Sequence, residues 1–500
     1  MNAIKIANYR PIVLSAVCLA LGIFVGALTS NIAIAFFTLL GFFIVLTIVS
    51  FFLKFTTLKI ATLFVLIGFV AISITCFTTQ TEEVKYENVY FEGRVKEISK
   101  SNGMINRYVV EDVEFLGDKV NGKVLLDAVE NYEIGDVVAV FGSLESIPFD
   151  PFDSYSVSKY RKKIIYSSKS DTTLKIGETP KTIVEKIRYR VNNLYQTTMG
   201  CSEGAIALAL VLGDRSQIDY DTSHDMQASG LSHLFSVSGL HVGFMSTIIF
   251  YLFRLLKVEK KKSVILVVLI LFLYGLLTGF PVGVVRASIM SLLVLFAEIR
   301  TKRYDQLNGL ALAVIILLVI NPLDLFSVSF LLSVGAMFGI ACFYHRITSI
   351  YRGDSILIKR LLGAVAVSVS ANVFVIPISA YYFGTVSLYF ILANLVVVPI
   401  ASLVYFLLVP LTLFALIIPY LGILITPIGF PIVAISAIST GIANIPSATV
   451  GLNMPSLAGL LYSLGFIIIS RYYMGSKYSK IVISLLSFIA CALIIFLIYL

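Results

Sequence analysis

"PIVLSAVCLALGIFVGAL", residues 11–28, is an uncharged apolar run standing directly behind Lys5 and Arg10. A secretory leader shares the basic start, but it has one short apolar core and a small-residue cleavage site. Here further apolar runs follow at 31–53 and 58–77. The first run is therefore read as a retained membrane helix and as the first of many.

The whole chain agrees with that reading. Of its 500 residues, 58% are hydrophobic and 13% charged, and the mean hydropathy is +0.93. Such a chain has lipid as its main solvent. The fold class is a polytopic α-helical membrane protein with an inserted external β domain. The net charge of +9 is unevenly spread: residues 82–178 hold 18 acids and 13 bases, net −5, which leaves net +14 elsewhere. Most of that excess reads as positive-inside charge and not as a nucleic-acid footprint. Lys5 and Arg10 precede the first helix, and Lys54 and Lys59 separate the second from the third. This places the N-terminus in the cytoplasm and the segment after residue 77 outside.

Four divisions result: N-terminal helices (1–77), an external β domain (78–180), an amphipathic interfacial linker (181–230) and a helical channel-like domain (231–500). In the second, "NVYFEGRVKEI", "RYVVEDVEFLG", "GKVLLDAV" and "GDVVAVFGSL" alternate apolar and polar residues between Gly and Asn turns. This is the pattern of a small barrel, with an OB-like barrel the best match. "GDKVNGKV" (117–124) imitates a phosphate loop, but Val124 stands where Ser or Thr would hold magnesium, and the flanks read strand-turn-strand. The five cysteines are scattered without CxxC or Cys/His spacing, so neither a zinc site nor a disulfide framework is expected. In the linker, Lys181, Lys186, Arg188 and Arg190 are expected to face headgroups. Basic loops between the later apolar runs alternate consistently, giving about ten to twelve spans and an external C-terminus. Prolines 399, 410, 419, 427 and 431 are not all expected in intact helices. Broken helices at membrane depth need protein or water around them, so 386–443 is a candidate conduit wall.

The polar outlier is "GLSHLFSVSGLHVGFM" (230–245), with His233, Ser236, Ser238, Gly239 and His241 inside apolar sequence. On a continuous helix the two histidines would lie about 80° apart. Three readings compete: a Ser/His nucleophile site, a metal site, and a discontinuous helix whose polar groups line a wet cavity or hold helices together. "SVSGL" has no G-x-S-x-G frame, and neither carboxylates nor cysteines stand at ligand spacing, which favours the third reading. Arg286, in "FPVGVVRASIM", sits in an apolar run where a lone guanidinium costs about 2.5–3.5 kcal/mol. It is either an internal partner or snorkelling side chain, or an anion contact in a pore. Asp214 and Arg215, in "VLGDRSQID", read as a cap or local ion pair, or as path residues. Outside the membrane, "SKYRKKIIY" (158–166) interleaves Lys159, Arg161, Lys162 and Lys163 with Tyr160, a mixture that either holds a single strand or is solvated charge.

"GLSHLFSVSGLHVGF" resembles the H-L-x-x-V-S-G-L-H-V-G signature of the ComEC competence family. "ALVLGDRSQI", "FPVGVVRASIM", "NPLDLFSVSFLLSVGAMFGI" and "VIPISAYYFGTVSLYFILANLVVVPI" support it in order. The resemblance implies an inner-membrane channel of a bacterium that passes single-stranded DNA into the cytoplasm during natural transformation. His233, Ser236, Ser238, Gly239, His241, Arg286, Asp214, Arg215 and Asn394 would then be path candidates, and Lys159, Tyr160, Arg161, Lys162 and Lys163 external DNA contacts. It also implies a cytoplasmic DNA-translocating ATPase, an external DNA receptor and a separate nuclease as partners, with membrane lipid around the helices. Many members continue into a metallo-β-lactamase-like domain; here the sequence stops at Leu500 and has no HxHxDH. That zinc nuclease activity is not expected, nor is any cofactor, and the chain is read as a channel and not an enzyme. A membrane-embedded Ser/His hydrolase and a transporter of another anionic substrate are the alternatives.

Overall fold

The computed structural model describes residues 10–29, 33–52, 56–79, 84–101, 105–115, 117–120, 122–235, 239–301, 304–470 and 476–499. Helices α1 (Pro11–Thr29), α2 (Ala33–Phe52) and α3 (Thr56–Thr79) come first. Glycine lets α1 and α3 meet backbone to backbone. A Cβ on Gly22 would lie 2.0 Å from the Val65 carbonyl oxygen, and one on Gly68 2.3 Å from that of Leu19. With no hydrophobic drive between helices in lipid, such close approach is what holds them.

The β domain contains β1 (Lys85–Ser101), β2 (Asn106–Phe115), β3 (Asp118–Lys119), β4 (Lys123–Ala128), β5 (Asp136–Ser146), helix α4 (Ser154–Arg161) and β6 (Ile164–Glu178). Strands pair in the order β1-β5-β6-β4-β2, and a further β1–β2 pairing closes the ring. All these pairings are antiparallel except β4 with β6. Alternation decides the core: Tyr108 and Val110 on β2 and Val138 and Val140 on β5 point inward with Phe91 and Val95. Within the phosphate-loop imitation, Asp118–Lys119 form β3 and Lys123 opens β4, so its lysine starts a strand and not a helix.

The remaining elements are α5 (Ile183–Met199), α6 (Cys201–Leu212), α7 (Tyr220–Ala228), α8 (Gly239–Leu255), α9 (Lys260–Thr278), α10 (Val282–Ile299), α11 (Gln306–Ile320), α12 (Val328–Thr348), α13 (Ile356–Phe383), β7 (Thr385–Ser387), α14 (Phe390–Ile417), α15 (Gly429–Ala443), β8 (Thr449–Gly451), α16 (Ser456–Ile469) and α17 (Lys477–Tyr499). Among the described residues nine helical segments are long and apolar enough to cross a membrane, and five shorter apolar helices accompany them. The chain is a polytopic helical membrane protein.

Two expectations need correction. The 181–230 segment is more than an interfacial linker, because every residue of α6 from Gly204 to Leu212 is buried. α5 is anchored at both ends. Its Glu185 pairs with Arg94 of the β domain at 2.7 Å, and its Tyr195 hydroxyl shares a hydrogen bond with Thr412 of α14 at 2.7 Å. Of the bases in 181–190, Arg188 pairs with Asp214 and Lys181 with Glu133, while Lys186 and Arg190 stay exposed. The proline-rich region is also less broken than expected. α14 runs through Pro399 and Pro410, and the irregular turns are confined to Pro419–Ile428, before α15 returns across the body. Each internal proline frees one carbonyl, a loss that neighbouring helices and hydroxyls can cover in a membrane.

α11 orients the body, because ion pairs mark its two ends. Asp305, its N-cap, pairs with Arg10 at 2.8 Å. Beyond its other end, buried Asp324 pairs with Arg161 of α4 at 2.5 Å. The start of α1 and the β domain therefore lie at opposite ends of the helical body. Beside the Asp324 pair, the Phe152 ring meets Phe326 at 5.4 Å and Phe24 at 6.0 Å.

Candidate functional site

The polar stretch at 230–245 is a break between two helices. α7 starts on Asp219, whose side chain accepts from the Thr222 amide at 2.8 Å, and ends at Ser229. Gly230 follows with φ +80°, and a Cβ there would meet Phe390 at 3.0 Å and Ser387 at 3.2 Å, so both conformation and space demand glycine. A single 3-10 turn, Ser232–Phe235, buries Leu234 and Phe235. Ser236 and Ser238 lie outside the described residues, and α8 begins at Gly239.

The break sends the two histidines into different surroundings. His233 is exposed, with its Nδ1 3.3 Å from the Gly230 carbonyl oxygen. His241 is buried and stacks flat on Tyr405, ring centroids 4.3 Å apart at 11°. Tyr405 lies fifteen residues along α14 from Phe390, about 22 Å at helical rise, so α8 starts deep in the body. Below that stack the Tyr405 hydroxyl donates to Tyr274 at 3.2 Å, and Tyr274 donates to the Val211 carbonyl at 2.8 Å. Sequence reading missed Tyr405, because an aromatic in an apolar helix carries no signal until its partner is known.

Arg286 lies one turn into α10 and is 6% exposed. Its Nη1 donates to the Ser333 carbonyl of α12, and its Nε has no partner. A Cβ on Gly239 would lie 3.1 Å from Nη2, so the guanidinium sits against the first residue of α8. No carboxylate pairs with Arg286 among the described residues. Ser387 Oγ and Asn394 Oδ1 are also buried and unpartnered, the first of them against Gly230. The structure thus brings Gly239 to Arg286 and Gly230 to Ser387 along one break. Arg215 joins it, since its Nε donates to the Phe235 carbonyl at 3.0 Å. Asp214 does not, and caps its own turn by accepting from the Ser216 amide and hydroxyl at 3.1 and 2.7 Å.

The basic-aromatic segment 158–166 is placed differently from expectation. Tyr160 is buried and donates to the Ile147 carbonyl at 2.7 Å, and Arg161 is committed to Asp324. Lys159 lies over the Tyr155 ring at 5.1 Å; burial first, then Arg107 and Lys162, push its ammonium below the ordinary lysine value. Lys162 donates to Glu97 at 2.8 Å, and Lys163 is exposed. The amphipathic repeat of α4 turns this segment's apolar side and its arginine toward the membrane body. Tyr160 and Arg161 are docking residues, not a face offered to a strand.

Among the described residues no group of three or more His, Cys, Asp or Glu is placed to hold a metal ion. Residues 210–477, more than half of the chain, match the family described as Competence protein. ComE operon protein 3 of Bacillus subtilis is 30% identical over 49% of this chain and 31% of its own length. Recombination protein 2 of Haemophilus influenzae is 31% identical over 50% of this chain and 33% of its own. The matched part thus spans about a third of each of these curated relatives. No solved structure matches the chain. The matched residues contain the helix break, Arg286 and all of α8 to α16, and the chain belongs to the competence protein family.

Proposed function

We propose that the chain forms the membrane conduit for DNA uptake in natural transformation, passing a single strand into the cytoplasm. In this reading it is a channel and not an enzyme. It sits in a bacterial inner membrane with its N-terminus cytoplasmic and its β domain outside. The observation that carries the reading is Arg286, a buried guanidinium with an unpartnered Nε set against Gly239 of α8, within the family-matched region. A buried guanidinium with no carboxylate partner among the described residues suits a passing phosphate, and broken helices deep in a membrane suit an aqueous path. The β domain supports an OB-like assignment through its closed five-strand order and single parallel pair. A cytoplasmic translocating ATPase, an external DNA receptor and a separate nuclease would be its partners.

The test is a deletion strain supplied with labelled DNA and complemented with variants. Deletion should abolish protection of DNA inside the cell while leaving DNA bound at the surface, and wild-type transformation in that strain would defeat the proposal. Arg286→Gln at normal abundance should lower uptake about 10- to 100-fold, and Arg286→Lys should restore part of it. Equal uptake by all three proteins would remove Arg286 from the path. Loss of function on Ser238→Ala alone, at normal abundance, would point to a hydrolase instead.

A further inference from the structure

Helix α5 turns a different kind of face outward from its neighbours. It belongs to the helical body, since Tyr195 is fully buried on Thr412 of α14 and a Cβ on Gly422 would lie 3.0 Å from Leu194. Neighbouring helices expose apolar residues, such as Leu269 and Phe272 on α9 and Leu403 and Phe406 on α14. On α5, exposed Lys186, Arg190, Asn193 and Thr197 stand at i, i+4, i+7 and i+11, which aligns them as one stripe with Tyr189 beside it. Cations that only reach headgroups are followed on the same face by apolar residues in the lipid tails. Here an amide and a hydroxyl follow, so the stripe faces water.

The stripe is also continuous with the helix break. Segment 214–217 packs along α5, with Arg188 paired to Asp214 at 3.4 Å and Gln196 Nε2 donating to Gln217 at 2.6 Å. The same segment carries Arg215, whose Nε donates to the Phe235 carbonyl at the break. At its other end α5 is fixed to the β domain through Glu185 and Arg94. Among the described residues neither Lys186 nor Arg190 pairs with a carboxylate, because Asp214 is taken by Arg188 and Glu185 by Arg94. Tyr189 is 42% exposed, with Lys181 over its ring at 4.1 Å.

We infer that the outer face of α5 holds a single nucleic-acid strand on its way from the β domain to the break, Lys186 and Arg190 taking phosphates and Tyr189 stacking on a base. Unpaired cations beside an exposed ring are what a strand with a charged backbone and flat bases requires. The identity of the ligand rests on the conduit reading, while the water-facing stripe does not. α5 lies outside the family-matched residues, so this contact is separate from Arg286.

The experiment measures binding of fluorescent oligothymidylate to the full chain in phosphatidylcholine nanodiscs as salt is raised. Lys186→Gln with Arg190→Gln should make the slope of log affinity against log salt shallower by about 1.4, since each phosphate contact to a single strand contributes about 0.7. Tyr189→Leu should weaken binding about tenfold at an unchanged slope, and Tyr189→Phe should retain it. Lys261→Gln with Lys262→Gln, two exposed cations at the start of α9, should leave the slope unchanged. An unchanged slope in the α5 double variant, or an equal change in the α9 control, would overturn the strand face. If adding phosphatidylglycerol to the nanodisc abolishes the difference between wild type and the α5 variant, the two cations serve lipid phosphate and the strand assignment falls. With Cys201→Ser, a charged thiol reagent should modify Asn193→Cys and spare Phe406→Cys; protection of both would overturn the water-facing stripe. Uptake separates the two readings: unchanged transformation on deletion removes the conduit, whereas uptake that depends on Arg286 beside an unchanged α5 slope removes the strand face alone.

Discussion

Replacing Arg161 by alanine tests how the β domain is held to the membrane body. Asp324 is 3% exposed and Arg161 is its ion-pair partner at 2.5 Å. Removing one partner of a fully buried pair costs about 3–5 kcal/mol, because the remaining charge is stranded. The Arg161 side chain is 28% exposed, so water reaches the pair and the expected loss is lower, about 2–3 kcal/mol. Asp324→Asn removes the charge that needs a partner while Arg161 can turn to water, and should cost only about 1 kcal/mol. The double variant should then resemble Asp324→Asn alone. Acidity gives an independent check. Burial first raises the Asp324 carboxyl above its ordinary value, and Arg161 pulls it back only in part. A raised carboxyl means that the folded state binds the extra proton, so this residue's contribution falls as pH rises above about 4. Without Arg161 the folded value rises further, so the penalty of Arg161→Ala should be large at pH 7 and shrink on acidification toward pH 5. Melting followed with a thiol-reactive dye suits the chain, since Cys18, Cys76, Cys342 and Cys491 are buried and exposed Cys201 gives a constant background. An Arg161→Ala protein that melts with wild type at pH 7, or whose deficit ignores pH, would refute the docking argument.

The other predictions concern single contacts. Gly68→Val would place side-chain atoms at the Leu19 carbonyl and should cost about 3 kcal/mol or more, read as lost yield and a lower melting temperature, whereas Gly41→Ala, with nothing within 4 Å of its Cβ position, should be silent. At Glu185, burial alone would raise the carboxyl, but Arg94, the Thr182 amide and Lys96 outweigh it and hold the value below the ordinary one. Its contribution is therefore present above about pH 4.3 and lost as pH falls through the depressed value; Glu185→Gln should cost about 1–3 kcal/mol at neutral pH and flatten that acid limb. Tyr195→Phe strands the buried Thr412 hydroxyl and should cost about 1 kcal/mol, and adding Thr412→Val should recover part of it on the same melting assay.

The parts legible in the sequence are those set by local rules. An uncharged run such as 11–28 has to be helical in lipid, because no other structure in a single segment satisfies its backbone. Alternation in 106–115 marks a strand facing two environments, and Gly230 with its serines marks an interruption. What escaped depends on partners far away in the chain. α6, "CSEGAIALALVL", is too short to cross a membrane and follows charged α5, so it reads as linker; its burial comes from α14 and α15, which pack on it from two hundred residues downstream.

The "SKYRKK" segment shows why charge patterns mislead in such a chain. Lysine and arginine beside tyrosine have the composition of a single-strand platform, and also that of a short amphipathic helix that lays its apolar side on another surface. The two differ only in what stands opposite, and that is Asp324, a residue whose isolation in an apolar stretch is itself the signal. A buried acid and a half-buried base that each look unexplained are best read together, since each supplies the partner the other lacks. Arg286 is the contrasting case. It is as isolated in sequence as Asp324, but folding brings it a carbonyl and the Gly239 backbone and, among the described residues, no carboxylate. A charge left uncompensated after the fold has closed is a stronger pointer to a mobile anionic ligand than any charge that the fold itself neutralises.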